Sequence, residues 1–298
     1  MNALSPSFAA NQNAPARHPT AGINPLSIHD LRDQVARLER AGPSGSAVSA
    51  GLKSKGVVTL GAAALDSHLP WGGLPRAALH EVAGEGSDRE QGAAAAGFAA
   101  LWLGKLQAAG PVLWIARGAS LDAVDLHAHG LHQQCLDPKR LIMVAARRDD
   151  EALWAMEEGL KARSLGAVLG EIEKLDLTAS RRLQLAAESG GVTAFVLRRW
   201  RLMERATRDT AQPIAAVTRW RIASLPIQGE PGEGDIRWRV ALARCRGGRP
   251  GMWIMERADG SDELHAAPLS GDLAPVLGGR SLETDAAESR TEPSARAG

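Results

Sequence analysis

The sequence predicts an α/β fold, a doubly wound and mostly parallel sheet with helices on both faces that ends in an antiparallel meander at one edge. Short apolar runs alternate with segments of helical periodicity through the middle of the chain. Runs such as 112–115 lack polar alternation, which is typical of strands that helices cover on both sides. From residue 215 onward strands follow one another without helices, and 236–242 alternates apolar with polar residues, which indicates an antiparallel strand.

The predicted elements begin with a strand at 57–60, a tight turn at 69–75 and a strand at 78–82. Four helix–strand pairs follow, at 89–109 and 112–115, 120–130 and 141–144, 150–163 and 167–169, and 178–189 and 192–197. The antiparallel strands are predicted at 215–222, 237–244, 252–256 and 263–267. Around this core, 56–270, we expect a disordered tail at 1–25, a helix at 26–40, a linker at 41–55 and a disordered tail at 277–298.

The composition excludes several classes of protein. Of the 298 residues, 44% are apolar and 23% charged, as in an ordinary globular protein, and a net charge of +1 gives no general attraction to nucleic acid or membranes. No apolar run approaches the roughly 20 residues of a membrane span, and no signal peptide is evident. Cys135 and Cys245 are too few for a disulfide framework. We therefore expect a cytoplasmic protein with no membrane partner.

The segment 79–103 has the layout of a phosphate-binding loop, a strand followed by glycines and a helix. That motif requires Gly-x-x-x-x-Gly-Lys-Ser/Thr. Counted from Gly84, the chain has Arg89, Glu90 and Gln91 at the last three positions, and no register supplies the lysine. At about 4 Å and an effective dielectric constant near 20, a carboxylate in the lysine's place costs roughly 4 kcal/mol against a bound phosphate. The degenerate loop comprises Gly84, Gly86, Ser87, Arg89, Glu90 and Gln91.

Three interpretations of this loop stay open. It is an inert structural turn, a weakened nucleotide site in which Arg89 contacts phosphate, or a working ATPase. Glu90 favours the inert turn. We therefore expect a pseudo-ATPase with no catalytic residues and no cofactor, and ATP is the one cofactor that the layout leaves open.

ATP hydrolysis also requires an acid at the end of a neighbouring strand to hold magnesium. Glu171 follows the predicted strand 167–169, and it is either the remnant of such a metal-binding acid or, more simply, part of a solvated helix start. His127, His129 and His132 are predicted on a polar helix surface, because closed metal sites use well-spaced ligand sets. We expect no metal site.

Arginines dominate the later part of the chain. Between Arg198 and Arg257 there are thirteen Arg, no Lys and six acidic residues, a local charge of +7, interleaved with four tryptophans. Arginines with aromatic residues suit single-stranded nucleic acid or a protein interface, and the simpler alternative is a solvated basic face over core tryptophans. The first candidates for DNA or partner binding are Arg198, Arg199, Arg201, Arg205 and Arg208.

Five short strings resemble those of known families. The Gly-Gly-Leu-Pro turn in 69–76, the strand 79–82 and the Gly84 loop resemble the start of the RecA recombinase core, and the likeness extends from about residue 56 to residue 256. The strand 218–222 and the string Arg-Cys-Arg-Gly-Gly-Arg-Pro at 244–250 are similar to those of the ImuA family, RecA-like accessory proteins of damage-induced mutagenesis in bacteria.

The resemblance implies a RecA-like fold and a role in the SOS response, in support of error-prone translesion DNA synthesis. The implied partners are ImuB, an inactive relative of Y-family polymerases, an error-prone DNA polymerase, RecA and single-stranded DNA. Arg244 and Arg246 resemble a lysine pair that in RecA reaches the neighbour's ATP, and together with Arg249 they are the further candidates for DNA or partner binding. Arg198 and Arg199 stand near the start of a DNA-binding loop in the same comparison.

Three functions follow as hypotheses. The first is a catalytically silent RecA-like adaptor between polymerase accessory, RecA and DNA. The second is a DNA-stimulated ATPase in which Arg89 and Glu171 replace the usual groups. The third is a cell-division inhibitor resembling SulA, a RecA-like fold without the phosphate motif. The string 244–250 favours the adaptor.

Overall fold

The computed structural model describes residue 52 and residues 54–118, 126–200, 212–227, 235–257 and 264–268. Its strands are β1 Val57–Val58, β2 Leu74–Pro75, β3 Leu79–Gly84, β4 Val112–Arg117, β5 Leu141–Ala146, β6 Ala167–Ile172, β7 Thr193–Arg198, β8 Thr218–Ser224, β9 Ile236–Cys245, β10 Gly251–Arg257 and β11 His265–Pro268. Its helices are α1 Ala63–Asp66, α2 Asp88–Leu106, α3 Ala128–Gln133, α4 Asp149–Lys161 and α5 Leu177–Gly190. The predicted tails and the helix 26–40 lie outside the described residues, as does most of the linker 41–55.

Nine strands form one sheet in the order β11-β10-β9-β8-β3-β7-β6-β4-β5, and β1 and β2 form a separate antiparallel pair. Strands β3 to β8 pair in parallel, whereas β8, β9, β10 and β11 pair in antiparallel fashion. The fold prediction is therefore confirmed: a RecA-like, doubly wound sheet with an antiparallel edge. The central strand β3 lies between β7 and β8, so the loop after β3 lies beside the ends of both.

Helices cover both faces of the sheet, and each face has its own core. The α2 face contains the larger aromatic cluster, with Phe98, Trp102, Trp114, Trp220 and Trp253 all buried. Helices α4 and α5 pack on the opposite face against shorter aliphatic side chains. Two buried layers account for strands without polar alternation, because both surfaces of each central strand are removed from water.

Small residues allow α2 to lie close to the sheet. Gly97 faces the ring of Trp238, and a Cβ atom there would lie 2.9 Å from that ring. Most of the helix from Gly92 to Leu106 is buried, so it shows no polar stripe of the kind that marks a surface helix. This packing fixes the N-terminus of α2, and with it the degenerate phosphate loop, against the ends of β3 and β8.

Two local predictions were wrong. Within the described part of the predicted helix 120–130, Leu126 and His127 are not helical and α3 begins at Ala128, and residues 119–125 lie outside the described part. Glu171 is not part of a solvated helix start, because it lies inside β6 and is only 5% exposed. At the predicted linker, Leu52 is buried in the α2-side core. No helix among the described residues is long and apolar enough to cross a bilayer.

Candidate functional site

The degenerate phosphate loop lies at the carboxyl ends of the parallel strands, the edge where doubly wound sheets bind ligands. Only three residues, 85–87, connect β3 to α2. Two backbone N–H groups of this region are already used, since Glu85 donates to the carbonyl of Ile222 and Asp88 to that of Trp200, both at 2.8 Å. Gly84 packs directly on the helix, because a Cβ atom there would lie 2.7 Å from Cβ of Gln91. The loop is a tight turn against its neighbours.

The side chains of the loop bind other parts of the protein. The hydroxyl of Ser87 donates to Glu90 at 3.0 Å, and the side-chain oxygen of Gln91 accepts the N–H of Ser224 at 2.7 Å. Glu85 forms an ion pair with Arg239 at 2.6 Å. Gly86 provides the left-handed turn with φ of 122°. Arg89 and Glu90 are exposed at the start of α2.

A single guanidinium group bridges two carboxylates at this edge. Nη1 of Arg199 lies 2.9 Å from Oδ1 of Asp88, and Nη2 lies 2.8 Å from Oε1 of Glu171. Burial lowers the pKa of Arg199, but Glu171 and Asp88 outweigh burial and raise it. We call this contact the Arg199 bridge. It places a fixed positive charge between the N-terminus of α2 and the end of β6.

Glu171 has further partners that hold its carboxylate. Oε1 also accepts the indole N–H of Trp114 at 3.1 Å, and Oε2 accepts the backbone N–H of Arg117 at 3.0 Å. Both oxygens are therefore hydrogen-bonded within the protein. Among the described residues no three or more His, Cys, Asp and Glu side chains gather in a way that could hold a metal ion.

Three further arginines, Arg198, Arg219 and Arg221, are buried near the same edge. Glu81, on β3, is fully buried and pairs with Arg219 at 3.1 Å and with Arg221 at 2.8 Å, both from β8. Burial raises the pKa of Glu81, but the fields of Arg221, Arg219 and Arg198 together lower it below its usual value. The guanidinium groups of Arg198 and Arg221 lie 4.9 and 5.2 Å from the ring of Trp200. These contacts fix the end of β7.

The predicted DNA-binding arginines separate into three groups. Arg198 is 2% exposed and donates to the carbonyl of Glu173 at 2.8 Å, and Arg199 is held in its bridge, so the structure places neither as an open surface contact. Arg201, Arg205 and Arg208 lie outside the described residues. Arg244, Arg246 and Arg249 lie at the opposite edge of the sheet, where the parallel strands begin.

This opposite edge carries a basic surface. Arg244 and Arg249 are exposed, and Arg246 is half-buried and donates to the carbonyl of Ala215 at 2.9 Å. Burial lowers the pKa of Arg246, the like charge of Arg244 lowers it further, and Glu188 opposes both. Lys55 is also exposed here, and its Nζ donates to the backbone carbonyl of Glu188 at 2.8 Å. The amino-edge patch consists of Lys55, Arg244, Arg246 and Arg249.

The chain is similar over most of its length to curated proteins of one family. It is 40% identical over 225 residues to Protein ImuA of Caulobacter vibrioides strain NA1000 / CB15N, and to the same degree to Protein ImuA of strain ATCC 19089 / CIP 103742 / CB 15. The match covers 73% of this chain and 90% of each relative. The chain belongs to the ImuA family. No protein-family model matches it.

Several residues of this ImuA-family site were missed in the sequence. Asp88, Glu81, Arg219 and Arg221 were not singled out, although Arg219 and Arg221 stand two apart in a strand and therefore share one face of the sheet. That spacing was a usable signal, because two cations on a covered face require a buried carboxylate. The carboxylate that pairs with them, Glu81, stands in an apolar strand.

Proposed function

We propose that this chain is a non-catalytic RecA-like adaptor of SOS-induced mutagenesis. It supports error-prone translesion synthesis together with an ImuB-type polymerase relative and an error-prone DNA polymerase, in the cytoplasm, with RecA and single-stranded DNA as further partners. Membership of the ImuA family supports the pathway. The observation that carries the non-catalytic part is the Arg199 bridge.

The bridge disfavours magnesium nucleotide chemistry at the carboxyl edge. A magnesium ion in such a site needs a carboxylate from the neighbouring strand. Here both carboxylate oxygens of Glu171 already accept hydrogen bonds, from Arg199, Trp114 and Arg117. To accept the metal, the buried carboxylate of Glu171 would have to release the partly buried Arg199, and breaking such a pair costs up to about 3 to 5 kcal/mol.

The loop itself gives a second argument against phosphate binding. Phosphate-binding loops present several backbone N–H groups to the anion and a lysine to its outer oxygens. The three-residue connection 85–87 is short, and the N–H groups of Glu85 and Asp88 already donate to Ile222 and Trp200. Glu90 adds a negative charge at the lysine's place. Together these features support a scaffold that no longer performs the reaction.

An adaptor requires surfaces rather than a catalytic centre, and the amino-edge patch supplies one. Its arginines lie at the opposite edge of the sheet from the degenerate loop, so contact there does not depend on a nucleotide at the carboxyl edge. Phosphates of single-stranded DNA or an acidic protein segment both match its charge.

The decisive experiment measures ATP binding by calorimetry and ATP hydrolysis by phosphate release, with and without single-stranded DNA. RecA serves as the positive control, and Arg89→Ala is measured beside the wild type. We expect neither binding nor turnover in either form. DNA-stimulated hydrolysis that Arg89→Ala abolishes would overturn the proposal and establish the variant ATPase instead.

The adaptor part is tested separately with purified ImuB-type protein immobilised on a sensor. Wild-type chain should bind it, and binding should survive nuclease treatment, since the contact is between proteins. Binding that disappears with nuclease would show that DNA alone joins the two proteins. Absence of binding in any condition contradicts the partnership.

A further inference from the structure

Strand β5 forms one outer edge of the nine-stranded sheet, and among the described strands it pairs only with β4. Gly118 donates its N–H to the carbonyl of Ala146, so the backbone groups of residue 146 face β4. Successive residues of an extended strand alternate in this direction, so the backbone groups of Met143 and Ala145 point away from the sheet. No described residue bonds to these outward groups, which leaves a template for another strand.

The same strand exposes apolar side chains. Ile142 and Val144 are 48% and 37% exposed, and they are two of the four large apolar side chains that are exposed in the described part of the chain. In register with them on β4 are Leu113 and Ile115, which are buried in the core beneath α4 and α5. The apolar layer of this face therefore continues onto β5 and is open to water there.

The other outer edge of the sheet is protected in a way that β5 is not. Strand β11 has four residues, of which the first is His265 and the last is Pro268, and a proline has no N–H to donate to a neighbouring strand. Strand β5 has six residues, Leu-Ile-Met-Val-Ala-Ala, with no charge and no proline. Proteins normally protect such an edge, because it pairs readily with other chains. An edge that is left apolar and unblocked indicates a surface that another chain covers when the protein functions.

Exposed cations stand at both ends of β5, two directly before it and two directly after it. They are Lys139, Arg140, Arg147 and Arg148. Arg148 forms ion pairs with Asp150 and Glu151, whereas no carboxylate of the described residues forms an ion pair with the other three. The charges at the carboxyl end therefore cancel. At the amino end Asp137 offsets only one of the two cations, so this end keeps a net positive charge.

These charges disfavour a second copy of the chain on this edge. If two β5 strands paired in antiparallel fashion over their full length, Arg140 of each would lie opposite Arg147 of the other, and like charges directly opposite one another are destabilising. Phosphates of nucleic acid match the cations but not the apolar strand between them. An extended polypeptide with apolar side chains and a terminal carboxylate matches the backbone, the side chains and the charge together.

We propose that the outer edge of β5 docks an extended segment of a partner protein. The segment adds to the sheet as a further strand by bonding to Met143 and Ala145, and its apolar side chains pack on Ile142 and Val144. A carboxylate at its end lies beside Arg140. The site gives the proposed adaptor one of its partner surfaces, and it rests on that function for the existence of a partner.

Binding to the immobilised ImuB-type protein tests the site through single substitutions. Val144→Lys places a charged side chain on the edge and should weaken binding about tenfold or more. Leu185→Lys is the matched control, because Leu185 is 63% exposed on α5, which packs over β3 and β7, and its replacement should leave binding unchanged. Arg140→Glu should weaken binding more at about 0.05 M than at about 0.5 M NaCl. Unchanged melting temperatures identify the folded variants, which the exposure of all three positions favours.

Hydrogen–deuterium exchange of residues 141–146 reports on the backbone directly. In the free chain the outward N–H groups of Met143 and Ala145 should exchange rapidly, and the bound partner should slow them about tenfold or more. Slow exchange in the free chain at every protein concentration would show that another part of the chain already covers the edge. Slow exchange at high protein concentration alone would show that a second copy covers it. Either result overturns the docking site.

The failure of the site can be separated from the failure of the adaptor. Binding that stays unchanged in Val144→Lys and leaves the exchange of β5 unchanged overturns the site, while the adaptor function stands. RecA serves as a second probe in both measurements. If neither protein binds the wild type, the adaptor function is contradicted and the docking site falls with it.

Discussion

The Nη2 atom of Arg199 lies 2.8 Å from Oε1 of Glu171, and the same guanidinium group reaches Asp88 with its other nitrogen. One side chain therefore ties the segment after β7 to the end of β6 and to the start of α2. In a nucleotide-binding protein of this architecture these three elements meet at the phosphates. Here they meet at the guanidinium group of Arg199, so its ion pairs with Asp88 and Glu171 occupy the place where phosphates would lie.

Removing Arg199 should destabilise the protein markedly. In Arg199→Ala the Glu171 carboxylate, 6% exposed, loses its cation, and breaking a buried pair costs about 3 kcal/mol. Arg182→Ala is the matched control, because its pair with Glu157 lies at the surface and should be worth under about 1 kcal/mol. Urea unfolding of both variants measures the difference. Equal losses would show that the bridge contributes no more than a surface pair.

Glu81 should be still more sensitive to a neutral replacement. Glu81→Gln keeps the shape but leaves Arg219 and Arg221 buried without their shared counter-charge, at a cost of about 3 to 5 kcal/mol. Glu85→Gln, whose pair with Arg239 is partly exposed, should cost about 1 kcal/mol. The free energies of unfolding at pH 7 test this order. The prediction fails if Glu81→Gln is the milder change.

Burial of a neutral histidine makes stability depend on pH. His80 is fully buried, its Nε2–H donates to the carbonyl of Pro75 and its Nδ1 accepts the hydroxyl of Thr218. Burial lowers the pKa of His80 to about 4, although the hydrogen bond to Pro75 opposes this. The unfolded chain therefore binds a proton at higher pH than the native protein does. The stability is complete above about pH 6.5 and is lost as the pH falls towards 4.

The size of this effect follows from the shift of pKa. Between pH 7 and pH 5 the wild type should lose about 2 kcal/mol through His80 alone. His80→Gln lacks the titrating group, so its stability should fall by that much less over the same interval, whatever its stability at pH 7. Urea unfolding of both proteins at the two pH values gives the comparison. Parallel losses would show that His80 keeps an ordinary pKa in the native state.

The helices and strands from α2 to β10 could largely be predicted from the sequence, because buried residues produce a recognisable spacing of apolar residues within each segment. Helix α5 shows this at both ends, where Asp176 accepts the N–H of Ala179 and Gly191 takes the left-handed conformation. Apolar runs between such helices could only be strands. The fold class and most of its order required nothing beyond periodicity.

The interior of the candidate site was not predictable in the same way. Glu171 looked like a solvated residue, because nothing near it in sequence reveals that Trp114 and Arg199 hold it within a strand. Arg198 looked exposed for the same reason, although Glu173 and Trp200 enclose it. Buried charges are compensated by distant partners, and a local pattern carries no record of those pairings.

Two glycines in helices should respond in opposite ways to alanine. A Cβ atom at Gly104, in α2, would lie 2.3 Å from the carbonyl oxygen of Cys135, so Gly104→Ala forces backbone apart and should cost about 1 to 3 kcal/mol. Gly130, in α3, has open space around its Cα, and Gly130→Ala should stabilise by up to about 1 kcal/mol. Thermal unfolding separates the two. Equal effects would contradict the close contact of α2 with Cys135.

The amino-edge patch predicts a measurable pattern of DNA binding. Arg244→Ala and Arg246→Ala should each weaken binding of a single-stranded oligonucleotide without regard to sequence, because the contacts are to phosphates. Each lost phosphate contact should reduce the slope of log affinity against log salt by about 0.7. Fluorescence anisotropy at several salt concentrations measures both quantities. Arg182→Ala removes an exposed arginine on α5, outside the amino-edge patch, and should leave both unchanged. An unaltered slope in the patch variants, or an equal loss in the control, would move any DNA contact away from this edge.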